Sequence, residues 1–416
     1  MTHLKISNNI FNSIGHLQDE GAKGSNQMRL GQYNERLVLS LIREGDGSTK
    51  ADLARMTRLT PQTISVIVNR LLGNGFLIKG KIKRGKVGKP STVFQINPTG
   101  AFSIGVQIGR RSMDVVMMSF DGSLCIQETV QYEFPQFAYV IGEAGRLITN
   151  LLKSLSPDVN QRITGVGIAA PGSLGEWESV IGAPKKSMSD WKNVNIADEL
   201  RRFTKLPIYL LNDVSAACLS ELTLGRHNGI KNFIYLYIGT LIGGGLVIGG
   251  QLFSGMTGNA GAVGPMPTYI AGNTPPPQLL ELASLWKLEK EFSSHNISVD
   301  KLYNSEPLTG KSFALFDTWS TEAANAIAFS ILSGVSFLDV DSVIIDSTLP
   351  NFALESMISK VKTAMKKYNV AGLTPPKLSS GSIGSQATVL GGAFLPLYAN
   401  FSTDRDIFMK LLEPEN

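Results

Sequence analysis

Cysteine and histidine are scarce in this chain of 416 residues. Its two cysteines, Cys125 and Cys218, are too few for a disulfide framework, which favours a protein of a reducing compartment. The four histidines are scattered along the chain, at His3, His16, His227 and His295. Because no spacing typical of a metal site occurs among them, we expect no bound metal.

Long apolar runs are also missing. The N-terminus lacks the basic flank and apolar core of a secretion signal, and no apolar run is long enough to cross a bilayer. Residues 1–27 are polar and rich in Asn, Ser, Gly and Gln, which predicts a flexible N-terminal arm. We therefore expect a cytoplasmic protein without a membrane partner.

Acidic residues are few in the N-terminal quarter. Residues 1–97 hold 15 Lys and Arg against 6 Asp and Glu, a formal charge of +9, whereas the other 24 basic and 28 acidic residues give −4. Counterion release by Lys and Arg drives binding to DNA. The charge distribution therefore assigns any attraction for nucleic acid to this quarter.

Residues 48–96 have the pattern of a winged helix-turn-helix. Ser48 or Thr49 suits the cap of a first helix, and Thr60 suits the cap of a second helix that begins at Pro61. Five apolar residues at helical spacing predict a buried stripe on the second helix: Ile64, Ile67, Val68, Leu71 and Leu72. The remaining faces carry Val66 and side chains suited to base edges and phosphates: Thr60, Gln62, Thr63, Ser65, Asn69 and Arg70.

A basic hairpin follows this second helix. Two predicted strands, 76–78 and 91–96, flank a tip without acidic residues that carries Lys79, Lys81, Lys83, Arg84, Lys86 and Lys89. Its glycines allow close approach to a phosphate or a minor-groove wall. Most runs of basic residues are merely solvated, but the capped helix pair before this one favours binding to duplex DNA.

The pattern changes to α/β after Asn97-Pro98-Thr99-Gly100. Buried strands alternate with amphipathic helices from residue 102 onwards, with strands predicted at 102–108, 163–169, 208–211 and 233–238. We predict three segments: the arm at 1–27, a winged-helix DNA-binding domain at 28–97, and an α/β body at 98–416.

Five segments of the body together resemble the ROK family, which contains bacterial sugar repressors and sugar kinases. They are Gly165–Gly172, Gly182-Ala183-Pro184 with Trp191–Val194, Leu211–Ala217, Gly239–Gly245 and Gly255–Gly264. The resemblance covers nearly the whole chain, and it implies a two-lobed, actin-like and ribonuclease-H-like body. Such a body holds a sugar in the cleft, and kinase members also hold ATP there.

Three residues are the candidates for contact with a ligand. Asp213 matches the family's catalytic base, and Asn212 beside it can donate to and accept from a neighbouring hydroxyl. An Asn-Asp pair before a helix also suits an N-cap. Lys185 stands where an Asn often sits, and it either recognises an acidic or phosphorylated sugar or is a solvated surface charge.

The phosphate-binding residues of the kinases are replaced. In kinase members the first strand of the body ends in Asp, a glycine pair and Thr, whereas Gln107-Ile108-Gly109-Arg110-Arg111 stands here. Asp346-Ser347 replaces a later glycine pair, and an acid there would oppose a bound nucleotide. These differences predict a protein that is not an enzyme and has no catalytic residue or cofactor.

The family's zinc and sugar-contact segment is also altered. Where members carry Gly-Glu-x-Gly-His, this chain has Gly261-Ala262-Val263-Gly264-Pro265, and 266–284 contains neither Cys nor His. Structural zinc needs about four such ligands, so none is expected. Leu280 takes the position of a sugar-binding Glu, and Glu281 would point about 100° away on a helix.

The resemblance therefore implies a transcriptional regulator, a repressor of carbohydrate genes that binds operator DNA as a homodimer or tetramer and responds to a sugar in the cleft. Two alternatives remain open. One is an ATP-dependent sugar kinase with Asp213 as its base, and the other is a regulator that has no sugar ligand.

Overall fold

The N-terminal part of the chain, called the head below, folds as helices around a small sheet. The computed structural model describes residues 26–83, 90–172, 174–176, 183–192, 194–227, 229–268 and 275–403. The head comprises α1 (Asn26–Glu44), β1 (Ser48–Thr49), α2 (Lys50–Thr57), α3 (Pro61–Gly73), β2 (Leu77–Lys83) and β3 (Ser91–Ile96). Strand β3 pairs antiparallel with both β1 and β2.

Threonine caps set the start of both helices of the helix-turn-helix, as the sequence predicted. Thr49 accepts a hydrogen bond from Asp52 N, and Thr60 accepts one from Thr63 N, each at 3.2 Å. The preceding helix α1 begins at Asn26, so its first two residues lie within the predicted arm of residues 1–27. The rest of the predicted arm, residues 1–25, lies outside the described residues.

The first lobe contains a five-stranded sheet in the order β6-β5-β4-β7-β8. Its elements are β4 (Phe102–Ile108), β5 (Ser112–Ser119), β6 (Leu124–Gln131), α4 (Phe137–Ser154), α5 (Pro157–Asn160), β7 (Ile163–Ala170), α6 (Ile196–Leu200) and β8 (Ile208–Asn212). Strands β6, β5 and β4 are antiparallel neighbours, whereas β7 and β8 run parallel to β4. Helix α7 (Asp213–Leu224) leads to the second lobe.

The second lobe repeats this arrangement with the order β11-β10-β9-β12-β13. Its elements are β9 (Phe233–Ile238), β10 (Ile242–Ile248), β11 (Gln251–Leu252), α8 (Leu279–Ala283), α9 (Leu285–Ser294), α10 (Gly310–Leu338), β12 (Ser342–Ser347), α11 (Asn351–Met365) and β13 (Lys377–Ser380). The chain then returns to the first lobe with α12 (Ala387–Phe401), which packs on β4, β5, β7 and β8. Again three antiparallel strands are followed by two parallel ones. The chain is thus a winged helix-turn-helix followed by a two-lobed actin-like body.

Helices α7 and α12 meet between the two sheets at almost backbone distance. Gly391 of α12 faces the carbonyl of Ala216 in α7, where a Cβ atom would collide. On the opposite side of α12, a Cβ atom at Gly105 of β4 would lie 2.7 Å from Ala393. The glycines and alanines of these elements therefore let α12 pack closely on both α7 and the sheet of the first lobe.

Helix α10 is long and apolar enough to cross a membrane by length and composition alone, which the sequence analysis had not indicated. Half of its most apolar 18-residue window is buried inside the second lobe. Trp319, Ile327 and Ile331 are among the side chains that it contributes to the core of that lobe. Such burial is typical of a core helix, which meets the same criterion.

The helical segment that forms α8 and α9 is broken at Ser284. Ser284 is buried in an extended conformation, and its hydroxyl accepts a hydrogen bond from Ile242 N at 2.9 Å. Leu285 N and Trp286 N bond instead to the carbonyls of Gly239 and Thr240. The break follows from these contacts with the β9–β10 turn, which hydrophobic periodicity does not report.

Candidate DNA-binding head and interlobe cleft

Helix α3 buries one face and leaves the opposite face to solvent. Ile64, Ile67, Val68 and Leu71 are buried, as the stripe predicted, and Leu72 is half-buried. At 100° per residue, the direction opposite this stripe carries Gln62, Val66 and Asn69. All three are exposed, whereas Thr63 and Ser65 are half-buried. The exposed face is the one that a major groove could accept.

Two of the predicted DNA contacts on α3 also bind neighbouring helices. Arg70 forms an ion pair with Glu35, a buried residue of α1. Lys50 Nζ donates to Asn69 Oδ1 at 3.1 Å. With its oxygen engaged, Asn69 presents its amide N–H groups outward. The two contacts fix the rotation of α3 relative to α1 and α2.

The wing is described only in its two strands. Lys81 and Ile82 are exposed on β2, and the pairing with β3 shifts between Lys79 and Ile82. Lys83 is the last residue of β2. The predicted contacts Arg84, Lys86 and Lys89 lie outside the described residues.

A half-buried arginine, Arg43, joins the head to the body. Arg43 Nη1 donates to the Phe120 carbonyl at 2.5 Å, and its guanidinium lies 5.0 Å from the ring centre of Phe120 and 5.1 Å from that of Phe394. Burial lowers the pKa of Arg43 to about 10, although the charge of Asp121 acts in the opposite direction. Arg43 remains cationic at neutral pH and connects α1 with the first lobe and α12.

Aromatic rings complete the same junction. The ring of Phe401, the last residue of α12, lies 5.1 Å from that of Phe76 in the head and 4.6 Å from that of Phe120. Arg36 of α1 donates to the Ser402 carbonyl at 3.2 Å. Helix α12 also packs on α7, which borders the interlobe cleft. The head is therefore connected to α7 through α12.

Asn212 and Asp213 lie at the point where β8 passes into α7. Asn212 Oδ1 accepts hydrogen bonds from Val214 N and Ser215 N, so it caps α7. Its amide nitrogen faces Gly172 at the end of β7, where a Cβ atom would lie 3.8 Å away. The amide N–H groups therefore stay available as donors.

Asp213 is half-buried at the start of α7. Its Oδ1 accepts from Val214 N at 2.9 Å, and no side chain among the described residues donates to it. Burial raises the pKa of Asp213 to about 6, and hydrogen bonds from backbone amides offset part of this effect. A carboxylate of this kind can accept a hydrogen bond from a ligand hydroxyl.

Lys185 lies apart from this pair. It is exposed in the turn closed by Ser187 N and the Pro184 carbonyl. In the described part of the chain no hydrogen bond or ion pair joins Lys185 to Asn212 or Asp213.

An ion pair that the sequence analysis missed crosses between the lobes. Arg110, in the turn after β4, donates from Nη1 to Glu289 Oε2 of α9 at 2.7 Å. Tyr303 donates its hydroxyl to Glu289 Oε1 at 2.5 Å. Burial and the charge of Glu289 raise the pKa of Tyr303, so this hydroxyl stays protonated. The replaced phosphate-binding turn thus carries a cation that is already bound by the opposite lobe.

Asp346 is a buried residue near the end of β12. It accepts hydrogen bonds from Tyr235 Oη, Ser347 N and Gly384 N at 2.8–3.0 Å, and it presses against Gly381. Burial raises its pKa. The carboxylate thus binds one backbone N–H group of the 381–384 loop, that of Gly384, which is the type of donor that phosphates use in other proteins.

Glu221 of α7 binds the 381–384 loop as well. Its buried carboxylate accepts from Ser382 N and Ser382 Oγ, the latter at 2.7 Å. His227 Nε2 lies 3.4 Å from Glu221 Oε1. The loop after β13 is therefore tied both to α7 and to β12.

The glycines of β10 and the residue Glu281 each have a structural role. Gly243 and Gly245 of β10 face Val214 and Cys218 of α7, where Cβ atoms would collide. Glu281 completes a capping box with Gln278 at the start of α8. Within the described residues no three His, Cys, Asp or Glu side chains are grouped so as to hold a metal ion.

Residues 103–278 match the sequence model of the ROK family. This part of the chain is therefore similar to ROK family domains. The matched range begins in β4 and ends just before α8, so it includes Asn212 and Asp213 of the cleft.

The curated proteins to which the chain is similar include both regulators and kinases. It is 23% identical over 371 residues to the uncharacterized protein y4fQ of Sinorhizobium fredii, covering 89% of this chain and 92% of that protein. Identity to the xylose repressor of Caldicellulosiruptor bescii is 27% over 248 residues, 58% of this chain but only 59% of the repressor. Identity to the glucokinase of Halalkalibacterium halodurans is 24%, covering 70% of this chain and 94% of the enzyme.

Solved structures confirm the predicted fold. A ROK family transcriptional regulator, described as a homolog of the Escherichia coli MLC protein, superposes with a TM-score of 0.66 at 18% identity, covering 93% of this chain and all of that one. The ROK hexokinase of Thermus thermophilus superposes with a TM-score of 0.52 at 24% identity, covering 70% of this chain and 96% of the hexokinase. The share of this chain that the hexokinase covers is close to the share that the body makes up without the head.

Proposed function

We propose that this chain is a DNA-binding transcriptional regulator, a repressor of carbohydrate-related genes whose operator binding changes when a sugar or sugar derivative enters the interlobe cleft. The observation that carries the proposal is the head itself. Its two capped helices support the exposed face of α3 formed by Gln62, Val66 and Asn69, which is called the reading face below. The head is joined to a body that is similar to ROK family domains. The resemblance to a xylose repressor supports the same function.

The head, over residues 28–97, would act as the DNA-binding domain and the body, over 98–416, as the sensor. Helix α3 would enter the major groove, with Thr60, Gln62, Thr63, Ser65 and Asn69 on or beside its accessible faces. Arg70 can reach a phosphate only alongside its ion pair with Glu35. A homodimer or tetramer would present two heads to half-sites about one helical turn, or a multiple, apart.

The ligand would contact Asn212 and Asp213. Asn212 offers amide donors because its oxygen is used by the cap, and Asp213 offers an acceptor. A donor and an acceptor on adjacent residues suit two neighbouring hydroxyls of a sugar. Lys185 would add a charge only if its turn moved towards the pair, which makes it the weakest of the three candidates.

A ligand can change DNA binding only if it prefers one arrangement of the lobes. Contacts run from Asp213 through α7 to α12, and from Phe401 and Ser402 at the end of α12 to the head. A shift of α7 against the first lobe would therefore reach the head through packed side chains. Helix α12 therefore connects α7, which begins at the ligand site, with the head.

Kinase activity is the second candidate, and the similarity to a glucokinase favours it. The pKa of Asp213, raised to about 6, would also suit a general base. Against it, Gln107 replaces an acid, Arg110 is paired with Glu289, and Asp346 occupies the backbone N–H of Gly384. These residues support a protein without ATP-dependent catalysis.

Two assays test the proposal with the full chain. Thermal-shift screening with sugars, amino sugars and sugar phosphates should give a stabilising ligand, and Asn212→Ala or Asp213→Asn should abolish that shift. A coupled assay for ADP release with the same sugars should give no turnover. Turnover that disappears in Asp213→Asn would replace the regulator with a kinase.

A further inference from the structure

Val66 is an apolar residue on the face of α3 that points away from the head. It is 64% exposed, and it lies between Gln62 and Asn69 on the outward face. A β-branched side chain at an exposed helical position stabilises neither the helix nor the core. Single exposed apolar residues are common on protein surfaces. Val66 differs from such scattered residues because it lies in the middle of the face that would meet DNA.

The neighbours of Val66 are fixed in orientation. Thr60 and Pro61 fix the first turn, Lys50 binds Asn69, and Glu35 binds Arg70. These contacts lie one turn before and one turn after Val66. The side chain is therefore presented at the middle of a helix whose rotation is set by α1 and α2.

The major groove offers one apolar group to such a side chain. Thymine carries a C5-methyl there, whereas the other groups of the base pairs that point into the groove are hydrogen-bond donors and acceptors. Gln62, four residues before Val66, can pair with adenine through its amide. The outward face thus combines a group for adenine with a group for the thymine methyl.

We propose that Val66 determines DNA specificity by contacting the C5-methyl of a thymine in each half-site. The inference rests on the proposed function, because it requires that α3 enter the major groove. It adds a chemical prediction about the operator: at least one A·T pair lies under the middle of α3, and its methyl group is read.

The test begins by selecting duplexes from a random library with the full chain. In the selected duplex, each thymine is then replaced by deoxyuridine, which lacks only the C5-methyl. We expect one position per half-site at which this replacement weakens binding about fourfold. Val66→Ala should bind the thymine and deoxyuridine duplexes equally, and alanine favours the helix, so the variant should fold.

Met56→Ala is the matched control. Met56 is 51% exposed on α2, outside the reading face, so this variant should keep the fourfold difference. Sequence-specific binding with no methyl-sensitive position, or a difference that persists in Val66→Ala, would overturn the inference and leave the proposed function standing. A chain that selects no sequence would overturn both.

Discussion

Arg110 and Glu289 form an ion pair that joins the two lobes of the body across 2.7 Å. Arg110 follows β4 of the first lobe, and Glu289 belongs to α9 of the second. Their side chains are only 15% and 11% exposed, so water screens the attraction weakly. The residue that departs from the kinase pattern has thereby become a link between the lobes.

We predict that Arg110→Ala lowers the free energy of unfolding by about 2–4 kcal/mol, because Glu289 would keep its buried charge without a cation. Urea denaturation measures the change. Lys287→Ala is the control, since its pair with Glu322 is more exposed, at 33% and 45%, and should contribute about 0.5 kcal/mol. Equal losses in both variants would show that Arg110 and Glu289 do not hold the lobes together.

The wing should bind DNA through its charge. Alanine at Lys83, Arg84 and Lys86 should weaken binding to all sequences and reduce the slope of log affinity against log salt by about 2–3. Fluorescence anisotropy at several salt concentrations measures the slope. Alanine at Lys362, Lys366 and Lys367 of the body removes the same charge and should leave the slope unchanged. An unchanged slope in the wing variant would contradict the assignment.

Asp213 should make stability depend on pH. Its pKa is raised from 3.8 to about 6, so the folded protein binds this proton more tightly than the unfolded chain. The stabilisation is complete below about pH 4 and is lost as the pH rises through 6, which amounts to about 2–3 kcal/mol. The unfolding free energy of the wild type should therefore fall by this amount relative to Asp213→Asn between pH 4 and 8. A constant difference would argue against a raised pKa for Asp213.

Phe401 should hold the head to the body. Phe401→Ala removes a ring packed against Phe76 and Phe120 and should cost about 3–5 kcal/mol. Hydrogen exchange should become faster at the amides of β2 and β3. Phe337→Ala removes a ring that is 90% exposed and should change neither quantity measurably. If β2 and β3 keep their protection in Phe401→Ala, the junction is held by other contacts.

Local patterns predicted most elements of the fold. Local sequence alone could predict the caps at Thr49 and Thr60 and the apolar stripe on α3, because these features depend on neighbouring residues. The break at Ser284 depends on a hydrogen bond from Ile242, 42 residues away. Strand β13 was not predicted, because a short strand such as Lys377–Ser380 has little periodicity of its own.

The candidate site was predicted less completely than the fold. Asn212 and Asp213 could be named from a motif, and the structure adds that Asn212 is also a cap. The ion pair of Arg110 with Glu289 joins residues 179 positions apart, and that of Arg70 with Glu35 joins two helices. Such pairs depend on tertiary packing, so a pattern of neighbouring residues does not reveal them.

One titration tests the central claim most directly: the fluorescence anisotropy of a selected duplex with the full chain, without and with the sugar that gives a thermal shift. We predict binding at least a thousandfold tighter than to a scrambled duplex, and a change of fivefold or more when the sugar is present. Equal binding to both duplexes, with no effect of the sugar, would contradict a sugar-responsive regulator.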